Sequence, residues 1–323
     1  MLEIYSVDLE FSPTPEGPVL VIGGSGVDVI GRLDGELHAG TTNPANIRTS
    51  YGGVARNVAE NLARLGQGTI LISAVGDDHN GEQLLNQAAE AGIDVGAVVC
   101  TPDHPSGAYL GIVNPDGALQ FALDDINATS AITPDYIRTH AALFKEASLV
   151  FLDASLPKDT LRTVFSLARK AHIPVCADPT SIGLADRLRP YLDRLRFIAP
   201  NSGEAGVLCE QPIENQHPED AIDAAQFLVA QGVDMVLITL AEFGAVYASS
   251  ETSGHIPAMR TTIVDPTGAG DALSATVIYS LLNGIPFDDA IRLGVTAASL
   301  TLRHRGTVIQ DLSLEMLYDQ LVI

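Results

Sequence analysis

The sequence predicts an α/β fold: a mostly parallel sheet with helices on both faces. Three observations carry this. Short, wholly apolar runs recur along the chain, as expected of strands covered on both sides. Helical patterns separate these runs, which is the rhythm of βαβ units. Asp28, Asp153, Asp178 and Asn201 follow apolar runs, at the carboxyl edge where ligands of such sheets gather.

Met1 to Gly17 mixes charges and prolines and reads as a polar extension, without the apolar segment of a signal peptide. From residue 18 to 323 the chain reads as one domain. Val19–Gly23 is the first strand. Gly23-Gly24-Ser25-Gly26 superficially resembles a dinucleotide fingerprint, but Val29 stands where its third glycine belongs. Gly31–Tyr51 is polar and turn-rich and leaves the βα rhythm. The rhythm resumes with a helix at Asn57–Leu65, a strand at Thr69–Val75 and a helix at Gly81–Ala91. Ser106–Asp125 alternates (Ala108, Leu110, Ile112, then Leu119, Phe121, Leu123) around Asn114-Pro115-Asp116-Gly117, a hairpin signal. Strands then follow at Leu149–Asp153, Pro174–Asp178, Phe197–Ala199 and Val236–Thr239. Helices are expected at Pro157–Ala171, Pro218–Gln231 and Ala272–Asn283. No internal repeat is present.

The 323 residues carry a formal net charge of −22. That charge argues against nucleic acid and anionic membranes as partners, because both would be repelled. Lys145, Lys158 and Lys170 are the only lysines and none lies in a glycine-rich loop, which excludes a Walker A phosphate loop. Cys100, Cys176 and Cys209 have no metal or redox spacing and read as reduced thiols of a cytoplasmic protein. No apolar run reaches the roughly 18 residues of a membrane span.

The densest chemistry lies at Val264-Asp265-Pro266-Thr267-Gly268-Ala269-Gly270-Asp271, running into an apolar helix. Gly268 and Gly270 let the backbone approach a ligand, and amides at the helix start favour an anion there. Asp271 has two readings: a carboxylate capping orphan amides, or a general base beside an anion hole. Other residues have equally plain readings. Asp28 is a turn residue, Gly52-Gly53 a turn before a helix, Asn127 an Asx-turn residue and Glu204 a first-turn acid.

VDPTGAGDAL closely resembles the C-terminal signature of the ribokinase-like (PfkB) carbohydrate and nucleoside kinases. A second signature of that family is matched near the N-terminus by Tyr51-Gly52-Gly53-Val54-Ala55-Arg56-Asn57-Val58-Ala59 and Asn61-Leu62-Ala63-Arg64-Leu65-Gly66. The resemblance covers nearly the whole chain from Val19. It implies a three-layer α/β/α sandwich with a small β lid, built here by segments of about 31–51 and 106–125, and a homodimer formed through that lid. It implies an anion hole from Gly268, Ala269 and Gly270, with Asp271 deprotonating the acceptor hydroxyl. Asp28, the Gly52 and Gly53 amides, Asn57 and Asp153 would hold the sugar. Pro200-Asn201-Ser202-Gly203-Glu204 resembles the Asn-x-x-Glu motif, in which Asn201 and Glu204 organise Mg²⁺ beside ATP. Ile238-Thr239-Leu240-Ala241-Glu242-Phe243-Gly244 resembles the nucleotide segment, with Thr239 and Gly244 retained and Ala241 in place of a glycine. Asp265, Thr267, Thr301, His304 and Gly306 match a monovalent-cation site, implying K⁺.

Ribokinases usually carry Asn and Lys where this chain has Gly26 and Val54, which makes room and lowers polarity. Three stretches resemble pseudouridine kinases: Thr42–Ile47, Gly52–Ala63 and Asp124–Thr133. The expected reaction is phosphorylation of a nucleoside 5′-hydroxyl, with pseudouridine first. Asn127 would read the uracil edge or the ribose. Inosine, adenosine and ribose are the alternative acceptors, and a non-catalytic nucleoside-binding relative is the reading from another class.

Overall fold

A computed structural model describes residues 17–213, 217–259 and 261–321. The expected polar extension therefore lies outside the described residues, apart from Gly17. In chain order the first strands are β1 (Val19–Ile22), β2 (Gly26–Leu33) and β3 (Ala45–Gly52), followed by helix α1 (Val54–Arg64). Then come β4 (Thr69–Ile72), β5 (Ala74–Gly76), α2 (His79–Glu90), β6 (Val99–Thr101), β7 (Gly107–Val113) and β8 (Leu119–Asp125). The middle of the chain holds α3 (Pro134–Thr139), α4 (Leu143–Glu146), β9 (Leu149–Asp153), α5 (Lys158–Ala171), β10 (Val175–Asp178) and β11 (Phe197–Ile198). The last part holds α6 (Ser202–Leu208), α7 (Pro218–Ala230), β12 (Met235–Thr239), β13 (Ala245–Ser249), β14 (Ser253–Ile256), α8 (Ala269–Leu282), α9 (Phe287–Arg303) and α10 (Leu314–Gln320).

The main sheet has eight strands in the order β14-β13-β12-β11-β10-β9-β1-β4. The pairings from β4 to β12 are parallel, and β13 and β14 add an antiparallel edge. Alternation along each strand divides the core. Leu20, Ile22, Val150 and Leu152 face the helices α3 to α7. Val19, Val21, Leu149 and Phe151 face α1, α8 and α9. Burying such a side chain stabilises by about 1.5–3 kcal/mol, and both faces of the central strands are used in this way. Among the described residues no helix is long and apolar enough to cross a membrane.

Two sequence expectations change. The run Thr69–Val75 is not one strand. Ser73 donates its hydroxyl to the Gly23 carbonyl at 2.6 Å, and the chain leaves the main sheet there to pair β5 with β6. The lid also begins earlier than residue 31. Its order is β3-β2-β7-β8, and β2 starts at Gly26, so Asp28 belongs to the lid rather than to a turn after β1. The polar segment after β2 conceals β3, which pairs antiparallel with β2 along its full length.

Candidate active site

The site is assembled where α8, α1 and the lid meet the carboxyl edge of the main sheet. Gly268 caps α8 at φ 81°. A Cβ there would lie 2.1 Å from the Thr307 carbonyl oxygen, so no other residue fits. Gly270, one turn position on, has no such neighbour: a Cβ would meet nothing within 4 Å. No side chain caps this helix, so no side chain takes up its first-turn amides as a cap.

Asp271 is the third residue of α8, and it does not cap the helix. Its Oδ2 accepts from Asn57 Nδ2 at 2.8 Å. The two signatures of the sequence, 214 residues apart, therefore meet in one hydrogen bond. Burial pushes Asp271 up to about 7; the Asn57 bond opposes this, and the charges of Asp153 and Glu204 add to it. Asp28 also rises to about 7, first through burial, then through the charges of Asp271 and Asp265, while Arg56 pulls it down.

Asn57 is placed by the start of α1. Gly53 forms the cap at φ 97°, with the Gly24 carbonyl too close for a Cβ. Gly52 lies directly under Asp28: a Cβ would fall 2.1 Å from Asp28 Oδ2. Across the lid, Asp28 is in register with Ser50 and Tyr109, and Tyr109 with Asp124. These four share one face of the lid, since in-register partners point the same way.

Asp153 takes a different place from the one expected. It is fully buried, and its carboxylate accepts from the amides of Gly24 (2.8 Å), Ala55 (3.1 Å) and Ser155 (3.0 Å), and from the Ser155 hydroxyl. It has no exposed surface in this structure. It pins the β1–β2 turn to the start of α1. Asn127 gives both its backbone N–H and its side-chain amide to Asp125 Oδ1, so the Asx turn here belongs to Asp125.

At the other end of the cleft, Asn201 and Glu204 form a capping box on α6. Asn201 Oδ1 accepts from the Glu204 amide at 3.0 Å, and Glu204 Oε2 from the Asn201 amide at 2.8 Å. Asn201 bridges Thr239 at the end of β12. Gly244 turns the chain back at φ 94°, against the Ile256 carbonyl. Ala241 adopts φ 49°, the left-handed region its glycine counterpart would occupy freely. An open cavity of about 650 Å³, lined by Ser202, Gly203, Val207, Gln211, Ile213 and Phe243, adjoins these residues.

Asp178 joins the site, although its place at the end of an apolar run gives it no role by itself. It ends β10 as Asp153 ends β9, and it is held well above the usual carboxylate range by burial, then by the charges of Glu204 and Asp271. Glu204 is also raised, by burial. One of its oxygens is engaged in the capping box. Two acids that oppose each other's ionisation fit a divalent cation, although no three His, Cys, Asp or Glu side chains among the described residues form a ready-made cage. The potassium residues behave as ordinary loop: Asp265 Oδ1 accepts from the Thr267 amide, Val264 and Asp265 amides donate to the Leu302 carbonyl, and the Thr301 hydroxyl bonds within α9. His304 caps α9, and Gly306 turns at φ 102°. The potassium expectation gains no support from these bonds.

The profile of the pfkB family carbohydrate kinases matches residues 18–313. The chain is 30% identical over 297 residues to the pseudouridine kinase of Escherichia coli (strain K12), covering 92% of this chain and 94% of that one. It is also 30% identical to the guanosine-inosine kinase of Exiguobacterium acetylicum, covering 87% and 93%. Among solved structures it resembles the Arabidopsis thaliana ribokinase complexed with ribose and ATP, with TM-score 0.80, 22% identity and coverage of 95% and 99%. The chain thus belongs to the pfkB family of carbohydrate kinases: it has the ribokinase-like fold and is a phosphotransferase with an alcohol acceptor, and kinases of this fold use ATP.

Proposed function

We propose that this kinase phosphorylates the 5′-hydroxyl of a nucleoside, pseudouridine before others, with Asp271 as the general base. The observation that carries the reading is the Asn57–Asp271 bond, which sets the sugar-side motif and the base at one point. The likeness to pseudouridine kinase supports the acceptor, and the equal identity to guanosine-inosine kinase keeps inosine as the second reading.

In this mechanism Asp28 accepts from ribose hydroxyls, and the Gly53 turn lets the sugar approach the backbone. Asn57 holds the Asp271 carboxylate so that one oxygen stays available to the 5′-hydroxyl. Asp271 accepts that proton as the hydroxyl attacks. The amides of Ala269 and Gly270 stabilise the charge gathering on the transferred phosphoryl group. Most of the acceleration is alignment, because phosphoryl transfer asks little covalent chemistry of the protein. Asn201, Thr239 and Gly244 border the nucleotide end, and Glu204 with Asp178 would hold Mg²⁺ through its waters. When bound, Mg²⁺ would neutralise phosphate charge there.

Pseudouridine differs from uridine by an additional N–H on the base edge. A site that supplies an acceptor for it leaves that acceptor unpaired with uridine, at a cost of about 1–3 kcal/mol. Asn43 Oδ1 already accepts from the His38 amide at 2.7 Å, whereas Asn127 gives Asp125 its donor Nδ2. Asp124, on the inner lid face beside Tyr109, is the better-placed acceptor. Comparing kcat/KM for pseudouridine, uridine, inosine and ribose tests this. A preference for pseudouridine over uridine of about tenfold or more is expected, following that penalty. Equal values, or a preference for ribose, would leave only the family activity.

The opposite lid face is apolar and exposed. Leu110 and Leu123 are in register, as are Ile112 and Phe121, with Leu123 64% and Ile47 69% exposed. Such a patch marks an interface, and the homodimer reading rests on it. Leu123→Asp is expected to convert a dimer at micromolar concentration into a monomer in solution scattering. A wild-type monomer would sink the reading.

A further inference from the structure

Arg56 is a buried cation that the mechanism above does not use. It lies in the first turn of α1 and is 3% exposed. Its Nη2 pairs with Glu60 Oε2 at 2.6 Å, and Glu60 Oε1 is shared with Arg64 at 3.0 Å. Its Nη1 donates to the Tyr51 carbonyl at 3.1 Å and to Asn57 Oδ1 at 3.3 Å. Each contact has a consequence for the site.

The Asn57 contact decides which way the amide faces. An amide has one accepting and one donating end. A guanidinium offers only donors, so it selects Oδ1 and turns Nδ2 toward Asp271. A flipped amide would set two oxygens against each other at Asp271. The Tyr51 contact reaches the anion hole. The same carbonyl accepts from the Thr307 hydroxyl at 2.8 Å, and the Thr307 carbonyl packs against Gly268. One guanidinium therefore registers the base, through Asn57, against the amides that receive the phosphoryl charge, through Tyr51 and Thr307.

We infer that Arg56 is a positioning residue of the phosphoryl-transfer site, which fixes the Asn57 amide as a donor to Asp271 and ties that pair to the Gly268 loop. The inference rests on Asp271 being the base. A buried ion pair adds little net stability against an apolar replacement of similar shape, so folding alone does not call for this arginine.

Removing it acts on the Asp271 carboxylate through the Asn57 amide, whose oriented donor is lost. The other groups facing Asp271 are all acids: Asp28 on β2, Asp153 on β9, Asp178 on β10 and Glu204 on α6. None of them can replace the donor. Arg56 itself is faced by Glu60, Asp28 and Arg64.

The test compares wild type, Arg56→Gln and Arg56→Lys as full chains. One readout is the pH dependence of kcat/KM for the nucleoside. The other is the titration of Asp271 itself, followed by NMR on protein carrying ¹³C in the Asp carboxyl carbons and assigned by the signal missing in Asp271→Asn. Per folded molecule, Arg56→Gln is expected to lose tenfold or more in kcat/KM at pH 7. Its acid limb and its Asp271 titration should both move to higher pH, with KM for ATP within twofold of wild type. Arg56→Lys should return the limb toward wild type without restoring the full rate. If Arg56→Gln does not fold, the lysine variant must still show a rate loss with ATP binding intact. An Asp271 titration unchanged in the variants, or a loss equal at every pH, would overturn the inference. The NMR readout needs no acceptor, so a wrong substrate leaves it standing.

Discussion

Asp271→Asn is expected to lower kcat by about 10²–10⁴-fold while leaving the fold and nucleoside binding in place, which is the range a positioned general base contributes. The asparagine fits the same space, and the exposed half of the site is unchanged. The variant carries a second, opposite signature in stability. In the wild type, burial raises this carboxyl from 3.8 to about 7. The folded state then binds a proton more tightly than the unfolded state. Stability is therefore lost as pH rises from about 4 to about 7, and the full penalty persists above that. A rise of this size corresponds to on the order of 4 kcal/mol as an upper bound. Asp271→Asn removes the penalty, so its melting temperature should exceed that of wild type at pH 8, with the gap closing toward pH 4. Activity and stability thus move in opposite directions. A variant with near wild-type turnover would refute the base, whatever its stability. The wild-type kcat/KM should rise through pH 7 for the same reason.

The two glycines of the proposed anion hole should fail in different ways. Gly268→Ala would place a Cβ 2.1 Å from the Thr307 carbonyl at a positive φ, so backbone must move. A loss of folded stability of about 1–3 kcal/mol or more is expected, together with loss of activity. Gly270→Ala meets no protein atom, so its melting curve should match wild type. Its methyl group enters the space before the first-turn amides. Turnover should fall by about 10²–10³-fold, as when a donor to developing charge is removed. Thermal unfolding and kcat measured on both variants separate the two. A fully active Gly270→Ala would show that the transferred group is held elsewhere.

The sequence was most legible where one local rule decides. The apolar runs at Val19, Leu149 and Val236 are strands because nothing else buries both faces of so short a segment. Strand–helix alternation carried the reading through α5 and α7. It failed at α9, a helix that follows another helix with no strand between. Pro286 and the first-turn acids Asp288 and Asp289 signalled its start nonetheless. It failed also at β3, whose alternation is hidden because both of its faces are largely exposed. The candidate site was legible in its glycines and in Asp28 and Asp271, whose spacing recurs in a familiar pair of motifs. The buried setting of Asp153 was not legible, because burial and three amide donors cannot be read from a residue that merely ends a strand. Asp178 ends a strand in the same way, yet it keeps part of its surface exposed. Only the tertiary packing distinguishes the two. Arg56 was hidden for a related reason: its partners lie on its own helix and on the lid.

The most direct measurement of the central claim is ³¹P NMR of the full-length protein with ATP, Mg²⁺ and pseudouridine, run beside Asp271→Asn. ADP and a nucleoside monophosphate are expected in equal amounts, with the new resonance split by the two 5′-methylene protons and no comparable product from the variant. A phosphate on another hydroxyl, release of inorganic phosphate alone, or equal product from Asp271→Asn would contradict it.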